Sequence, residues 1–457
     1  MMNLRLWSLG CLLALSVGQA SAEKNYKYRV NLKDKSGTEY SIDRPQAFLS
    51  ERAIERRNRQ QLPIEETDLP VSQQYLKELL GTGAKLVTTS KWNNTVVLEV
   101  SDTTLMDKVK EMSFVTGVKK VWTQPDSIPP RNKSRKKEVT NEVKEAGHHY
   151  GKAFRQINIH GGDSLHAAGF TGKGMHVAVI DAGFYNADRI KFFKNMDLLG
   201  TRDFVNPNSD IYEENSHGMK VLSCMAANIK DVFVGTAPDA SYWLLRSEDQ
   251  DTEQPIEEDY WAAAIEFADS VGIDVVNTSL GYHAFDEGYP AYRYRDLDGH
   301  YSLMSHSASL AADKGIVVVC SAGNSGRGAW KKVTPPGDSE NVLTIGALTK
   351  DLVNAEFSSI GDTSDGRIKP DVMAIGVNSV VSGNDGRVSK ANGTSFASPT
   401  MCGIVACFWQ ACPWLTAKEV IKAVQQAGDR VDFPDNIYGY GVPNLWKAYQ
   451  TEVEKRK

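Results

Sequence analysis

The chain has 457 residues, a formal net charge of −5, 41% apolar residues and 24% charged residues. That length exceeds what a single core usually holds, so two domains joined by a linker are expected. The mild acidity gives no reason to expect nucleic acid as a partner, and no segment beyond the N-terminus is long and apolar enough to span a membrane.

Residues 1–22 read as an export signal. Arg5 supplies positive charge, 6–17 is a short apolar region, and Ala20-Ser-Ala22 is a small-residue cleavage site. Cys11 follows Leu-Gly, as in lipoprotein signals, but it sits inside the apolar region rather than after it. The mature protein is therefore expected to be a soluble monomer outside the cytoplasm, periplasmic or secreted. Five cysteines would remain, Cys224, Cys320, Cys402, Cys407 and Cys412. An odd number leaves at least one thiol unpaired. The last three fall on one helical stretch, five residues apart, hence about 7.5 Å apart along its axis, beyond unstrained disulfide reach. Buried free thiols are expected, and no Cys-x-x-Cys pair suggests zinc.

Residues 23–122 predict a small α+β domain. Segments 26–32, 84–90, 93–100 and 114–122 read as strands, whereas 46–59, 71–80 and 103–112 have helical spacing. This region contains no histidine, and nothing in it looks catalytic. Residues 123–149 form a linker with a basic run, Arg131-Asn-Lys-Ser-Arg-Lys-Lys137. Gly147-His-His-Tyr150 ends it, and its adjacent histidines are expected to face solvent rather than share a metal ion.

From residue 150 to 457 strands alternate with helices. The strands are 177–180, 242–245, 274–277, 316–320 and 342–345, and the helices 218–228, 257–270 and 302–313, followed by 416–427 and 443–451. Such alternation predicts a parallel α/β sheet covered on both faces, with function gathered at the carboxyl ends of the strands. Two polar stretches interrupt it. Residues 248–259 carry seven carboxylates and no basic residue, and 282–301 is a tyrosine- and acid-bearing insertion with Asp286, Glu287, Asp296 and Asp298.

Four short motifs carry the chemistry. Val177-Ala-Val-Ile-Asp-Ala-Gly183 is a strand ending in Asp181. Asn215-Ser-His-Gly218 sets His217 at a helix start. Val317-Val-Val-Cys-Ser-Ala-Gly-Asn324 presents Asn324 after a buried strand. In Gly393-Thr-Ser-Phe-Ala-Ser-Pro399, Ser395 lies at the mouth of an apolar helix, with Pro399 expected in its first turn. Thr394 or Ser395 could simply cap that helix. An aspartate, a histidine and a serine brought together instead make a nucleophile, its base and the base's orienting group, and an asparagine amide can steady the developing oxyanion.

The order Asp, His, Asn, Ser in these four blocks resembles that of subtilisin-like serine proteases, over roughly residues 150–449. The resemblance implies a triad of Asp181, His217 and Ser395, with Asn324 as oxyanion donor. It further implies that Ser279, Leu280 and Gly281 pair with substrate backbone and wall the primary specificity pocket. Met219 and Ala182 depart from the family's usual small hydroxyl residues without removing a reacting group. Residues 23–122 then resemble the propeptide that folds with such enzymes and inhibits them, the alternative being a permanent accessory domain. The implied activity is that of an exported serine endopeptidase made as a zymogen, cutting protein or peptide substrates. Rival readings are a catalytically inactive binding protein on the same fold and a serine esterase; the esterase lacks its Gly-x-Ser-x-Gly elbow here. The chemistry requires no cofactor. The family often binds structural calcium, but insertion 282–301 has no EF-hand pattern and reads as a solvated loop. The loop 248–259 should border substrate positions upstream of the cut bond, where its carboxylates would favour lysine or arginine.

Overall fold

The computed structural model describes residues 24–127, 139 and 148–457. The segment 1–22, read as an export signal, and the basic run 131–137 lie outside them.

The smaller domain comprises β1 (Tyr26–Leu32), α1 (Glu51–Arg59), α2 (Gln73–Leu80), β2 (Lys85–Ser90), β3 (Thr95–Val100), α3 (Leu105–Lys110) and β4 (Val115–Thr123). Its strands form an antiparallel sheet in the order β2-β3-β1-β4. Val30, Leu32, Val96 and Leu98 meet Leu79 of α2 and Met106 and Val109 of α3 in one apolar cluster. The expected helix 46–59 is broken. A 3-10 turn, Pro45–Ala47, precedes Ser50, whose hydroxyl accepts from Ala53 N–H and starts α1 afresh. Beside Ala53, the buried face of α1 carries charge, for Arg56 and Arg57 are 2% and 1% exposed.

The larger domain opens with α4 (Phe154–Asn158), α5 (Gly162–Ala167), β5 (His176–Asp181), β6 (Asp197–Asp203) and α6 (His217–Ala226). It continues through β7 (Asn228–Ile229), β8 (Phe233–Val234), β9 (Ser241–Arg246), α7 (Ile256–Val271), β10 (Val275–Thr278), α8 (Leu303–Asp313), β11 (Val317–Ser321), β12 (Val342–Leu348) and β13 (Val372–Ile375). A hairpin, β14 (Ser379–Ser382) and β15 (Val388–Ala391), leads into α9 (Thr394–Ala411), α10 (Ala417–Gln426) and α11 (Leu445–Glu454). Seven strands form a wholly parallel sheet in the order β13-β12-β11-β10-β5-β9-β6. Alternate side chains serve opposite faces. Val177, Val179, Val275 and Val317 join the cluster under α6 and α9, while Ala178, Ile180, Val276 and Val318 join the one under α7 and α8. The chain order reverses between β5 and β10, which makes their carboxyl ends the crevice where ligands gather in such sheets.

The two domains meet through α7 and α8. Asp269, fully buried, receives Arg56 at 2.5 Å, Arg57 at 2.9 Å and Lys91 at 3.1 Å. Glu266 accepts from Lys91 N–H (2.7 Å), Trp92 N–H (3.0 Å) and the Ser90 hydroxyl. Trp92 itself is buried in the same apolar cluster as Leu280 and Tyr282. All five cysteines of this domain are free and buried, as expected, and His148 and His149 are exposed.

Candidate active site

Asp181 is the last residue of β5 and His217 the first of α6. His217 Nδ1 lies 2.8 Å from Asp181 Oδ1, which also accepts from Ala182 N–H at 2.8 Å. The backbone makes this contact close. A Cβ on Gly218 would meet Gly183 O at 2.5 Å and Asp181 Cβ at 2.8 Å, so any larger residue would push α6 away from β5. Asn215 Oδ1 accepts from His217 N–H at 2.7 Å and fixes the start of the helix. The two departures in these motifs are accounted for. Ala182 contributes only backbone, its carbonyl accepting from Arg246 Nε, while Met219 is a fully buried core residue.

Ser395 is the second residue of α9, where an N–H has no helical acceptor. Pro399 is not in the first turn as expected; it is the sixth helical residue. Its missing N–H leaves the Ser395 carbonyl without the usual i+4 donor. The Ser279 hydroxyl fills that place at 3.0 Å, itself receiving Asn277 Nδ2 at 3.1 Å, while Ser398 Oγ donates to Asn277 Oδ1 at 2.8 Å. Ser279 thus acts on the serine's own peptide group as well as lining the cleft.

Asn324 follows Gly323, whose φ of +99° suits glycine and whose Cβ would press on Ser359 and Thr334. The Asn324 carbonyl oxygen accepts from both Thr394 N–H and Thr394 Oγ1, each at 3.0 Å. With the oxygen so engaged, the amide nitrogen is the group left for the Ser395 side. Thr394 is therefore neither a bystander nor a simple cap.

Ser395 and Asn324 line a cavity of about 350 Å³ with Ser279, Leu280, Gly281, Glu253 and His283. His217 lines an adjoining cavity of about 470 Å³ with Glu248, Lys220, Phe396 and the same Ser279–Gly281 segment. His217 and Ser395 do not hydrogen-bond to each other directly; they face one continuous cleft through these shared walls. Such contacts often tighten only with substrate bound. Burial alone would depress the His217 pKa, but the Asp181 carboxylate, its hydrogen bond and Glu248 outweigh it and raise the pKa above the ordinary value. Glu248 is pushed up to about 7 by burial and by Asp181.

The acidic stretch is not a solvated loop throughout. Glu257, Glu258 and Asp259 are buried in the first turn of α7. Asp259 takes Arg29 of the smaller domain at 2.6 Å, and Glu258 accepts from Tyr292 Oη at 2.6 Å. Insertion 282–301 is also structured, with Asp286 bonded to the backbone of residue 253 and Asp298 to the N–H groups of 300 and 301. Among the described residues, no three His, Cys, Asp or Glu side chains converge as a metal site. His283, stacked on Trp330 at 4.9 Å, lines the Ser395 cavity without any sequence motif to announce it.

Comparison with known proteins agrees with this architecture. The Subtilase family profile matches residues 172–441, and that of the Peptidase S8 propeptide domain, Bacteroidota, matches 27–140. Serine protease AprX of Bacillus subtilis (strain 168) is 32% identical over 302 residues, 60% of this chain and 66% of that protein. Subtilisin DY of Bacillus licheniformis is 28% identical over 294 residues, 63% of this chain and 95% of that protein. The thermophilic serine proteinase of Bacillus sp. (strain AK1) is 28% identical over 281 residues, 60% of this chain and 61% of that protein. The chain thus spans just under two thirds of AprX and of the AK1 proteinase, but nearly all of subtilisin DY. A parallel-sheet domain matched over 172–441 and an antiparallel-sheet domain matched over 27–140 leave one conclusion: the chain belongs to the subtilase family and carries an S8-type propeptide domain ahead of its subtilase domain.

Proposed function

We propose that this protein is an exported serine endopeptidase, made as a zymogen, in which Asp181, His217 and Ser395 form the catalytic triad. Ser395 Oγ attacks the scissile carbonyl as His217 Nε2 takes its proton. Asp181 holds the imidazole by Nδ1 and stabilises its charged form. The Asn324 amide and the Ser395 N–H receive the oxyanion, and the helix dipole of α9 adds to that field. His217 then protonates the leaving amine, and water hydrolyses the acyl-enzyme by the same steps in reverse. Ser279, Leu280 and Gly281 are the wall along which substrate backbone lies. The observation that carries this reading is the 2.8 Å Asp181–His217 bond opening on the cleft that Ser395 and Asn324 line.

The propeptide domain inhibits its own enzyme until the linker is cut. Supporting this, Thr123 at the end of β4 exchanges two hydrogen bonds with the Gln254 side chain, at 2.7 and 3.1 Å, beside the cleft. That contact anchors the end of β4 one residue from Glu253, which lines the Ser395 cavity, and processing is proposed to follow between residues 124 and 150.

One experiment tests the reading. The wild-type chain should mature, react with a fluorophosphonate probe and hydrolyse a denatured protein. Ser395→Ala should stay full length, remain unlabelled and hydrolyse nothing. Labelling without peptide cleavage would favour the esterase alternative, and no labelling of wild type would favour an inactive binding protein.

A further inference from the structure

Beside the proposed catalytic groups stand carboxylates that the reaction does not use. Glu253 lines both the Ser395 and the His217 cavities, and Glu248 lines the second. Glu253 is held from both sides of its own backbone: its N–H donates to Asp286 Oδ2 at 3.1 Å, and its carbonyl accepts from Asp286 N–H at 2.8 Å. The next residue, Gln254, is clamped by Thr123. This is a built corner rather than a loose acidic loop.

Two buried polar groups at the same corner are unsatisfied. Tyr282 lines the His217 cavity, is 2% exposed, and has no hydrogen-bond partner for its hydroxyl. Fully buried Glu257 gives Oε1 to Asp249 N–H at 2.8 Å, while its Oε2 has no partner. Buried polar atoms are ordinarily hydrogen-bonded, so an unpartnered carboxyl oxygen and an unpartnered phenol hydroxyl at one corner mark a place for a polar ligand. The electrostatics point the same way. Burial first, then Asp286, pushes Glu253 up to about 7, and burial followed by Glu248 and Glu253 raises Glu257 well above its usual range. A cation entering here would relieve that mutual repulsion. Among the described residues, no three metal-ligating side chains converge, which favours an organic cation.

We propose that Glu253, Glu248 and Tyr282 form a subsite for a lysine or arginine side chain of the substrate, upstream of the scissile bond. The upstream side is assigned from one contact: Thr123 bonds Gln254, the neighbour of Glu253, so a segment continuing N-to-C from β4 to Ser395 would pass Glu253 before the cut. The side chain's N–H groups donate to the two carboxylates and to the Tyr282 oxygen, whereas an uncharged residue leaves these acceptors unpaired and an acidic one adds repulsion. Elsewhere in the same acidic stretch, Asp259 already binds a guanidinium, that of Arg29. The inference rests on the endopeptidase reading above and names its substrate class.

The test uses enzyme matured from the full chain. It compares fluorogenic peptides differing only by lysine, norleucine or glutamate at one of the three positions before the cut-site residue. Norleucine matches the lysine stem without its charge. At one of these positions kcat/KM for lysine should exceed that for norleucine by about tenfold or more, as expected for hydrogen bonds to a charged group. The ratio should fall toward one in Glu253→Gln, and toward one in wild type as salt rises. The wild-type salt series decides the matter if Glu253→Gln does not fold. Equal cleavage of lysine and norleucine peptides at every position, or a preference indifferent to salt and to Glu253→Gln, overturns this subsite and leaves the protease standing. Failure to cleave any peptide overturns the protease reading, and the subsite with it.

Discussion

His217 decides the pH at which the proposed chemistry begins. A general base must be neutral, so a raised imidazole pKa moves the onset of activity upward rather than down. Burial opposes that rise; Asp181 and Glu248 together overcome it. The acidic limb of kcat/KM should therefore lie above pH ~6.5, the ordinary imidazole value. Because Glu248 also titrates at about 7, the limb belongs to the coupled pair rather than to either residue. Glu248→Gln removes one of the charges that favour imidazolium, so its limb should shift to lower pH. A pH–rate profile of the two proteins checks this, and an unmoved limb would exclude the coupling. The four groups proposed to react could be singled out from the sequence because each needs one residue type in a fixed local setting. Thr394 turning the Asn324 amide, and Glu248 beside His217, could not, because both depend on segments far apart in the chain.

At the scale of single elements, α9 shows how a broken rule is repaired. Proline six residues into a buried helix withdraws a donor from the Ser395 carbonyl, and Ser279, 116 residues away, replaces it. Ser279→Ala should leave buried polar groups unpaired and cost about 1–3 kcal/mol. Thermal melting in a Ser395→Ala background, where self-digestion cannot interfere, reads that cost; an unchanged melting temperature would remove Ser279 from this role. Helix α1 shows the opposite limit of sequence reading. Its segment has helical spacing, but its buried face carries arginine, and only the fold brings Asp269 against it. Likewise the carboxylates of 248–259 were expected together to border substrate, whereas those in the first turn of α7 are buried and others upstream line the cleft.

For the molecule as a whole, the interior sheet was readable and its borders were not. The predicted strands correspond to β5, β9, β10, β11 and β12, whose near-continuous apolar runs suit a sheet buried on both faces. The edge strands β6 and β13 escaped notice, the first because Asp197–Asp203 is largely polar, the second because Val372–Ile375 is only four residues. The union of the two domains was equally hidden, since it rests on ion pairs between distant segments. Asp269 contacts three cations there, and Asp269→Asn would leave buried Arg56 without its carboxylate partner, although Arg57 keeps Asp68. Breaking such a site by removing one partner costs about 3–5 kcal/mol. In full-length Ser395→Ala protein this should appear as an earlier denaturation midpoint, and an unchanged midpoint would show that the interface does not depend on Asp269.

The five buried thiols have a consequence for watching this protein rather than for running it. Burial pushes Cys224 and Cys412 up to about 12 and holds Cys320, Cys402 and Cys407 higher still, so almost no thiolate exists at neutral pH. Since thiolate is the reactive form, these five thiols should be silent to alkylating reagents while the fold is closed. Each mass increment from such a reagent then timestamps an opening event. Cys320 sits within β11 and Cys412 caps α9, so the order in which they acquire label would reveal whether the sheet or the helix that carries Ser395 loosens first.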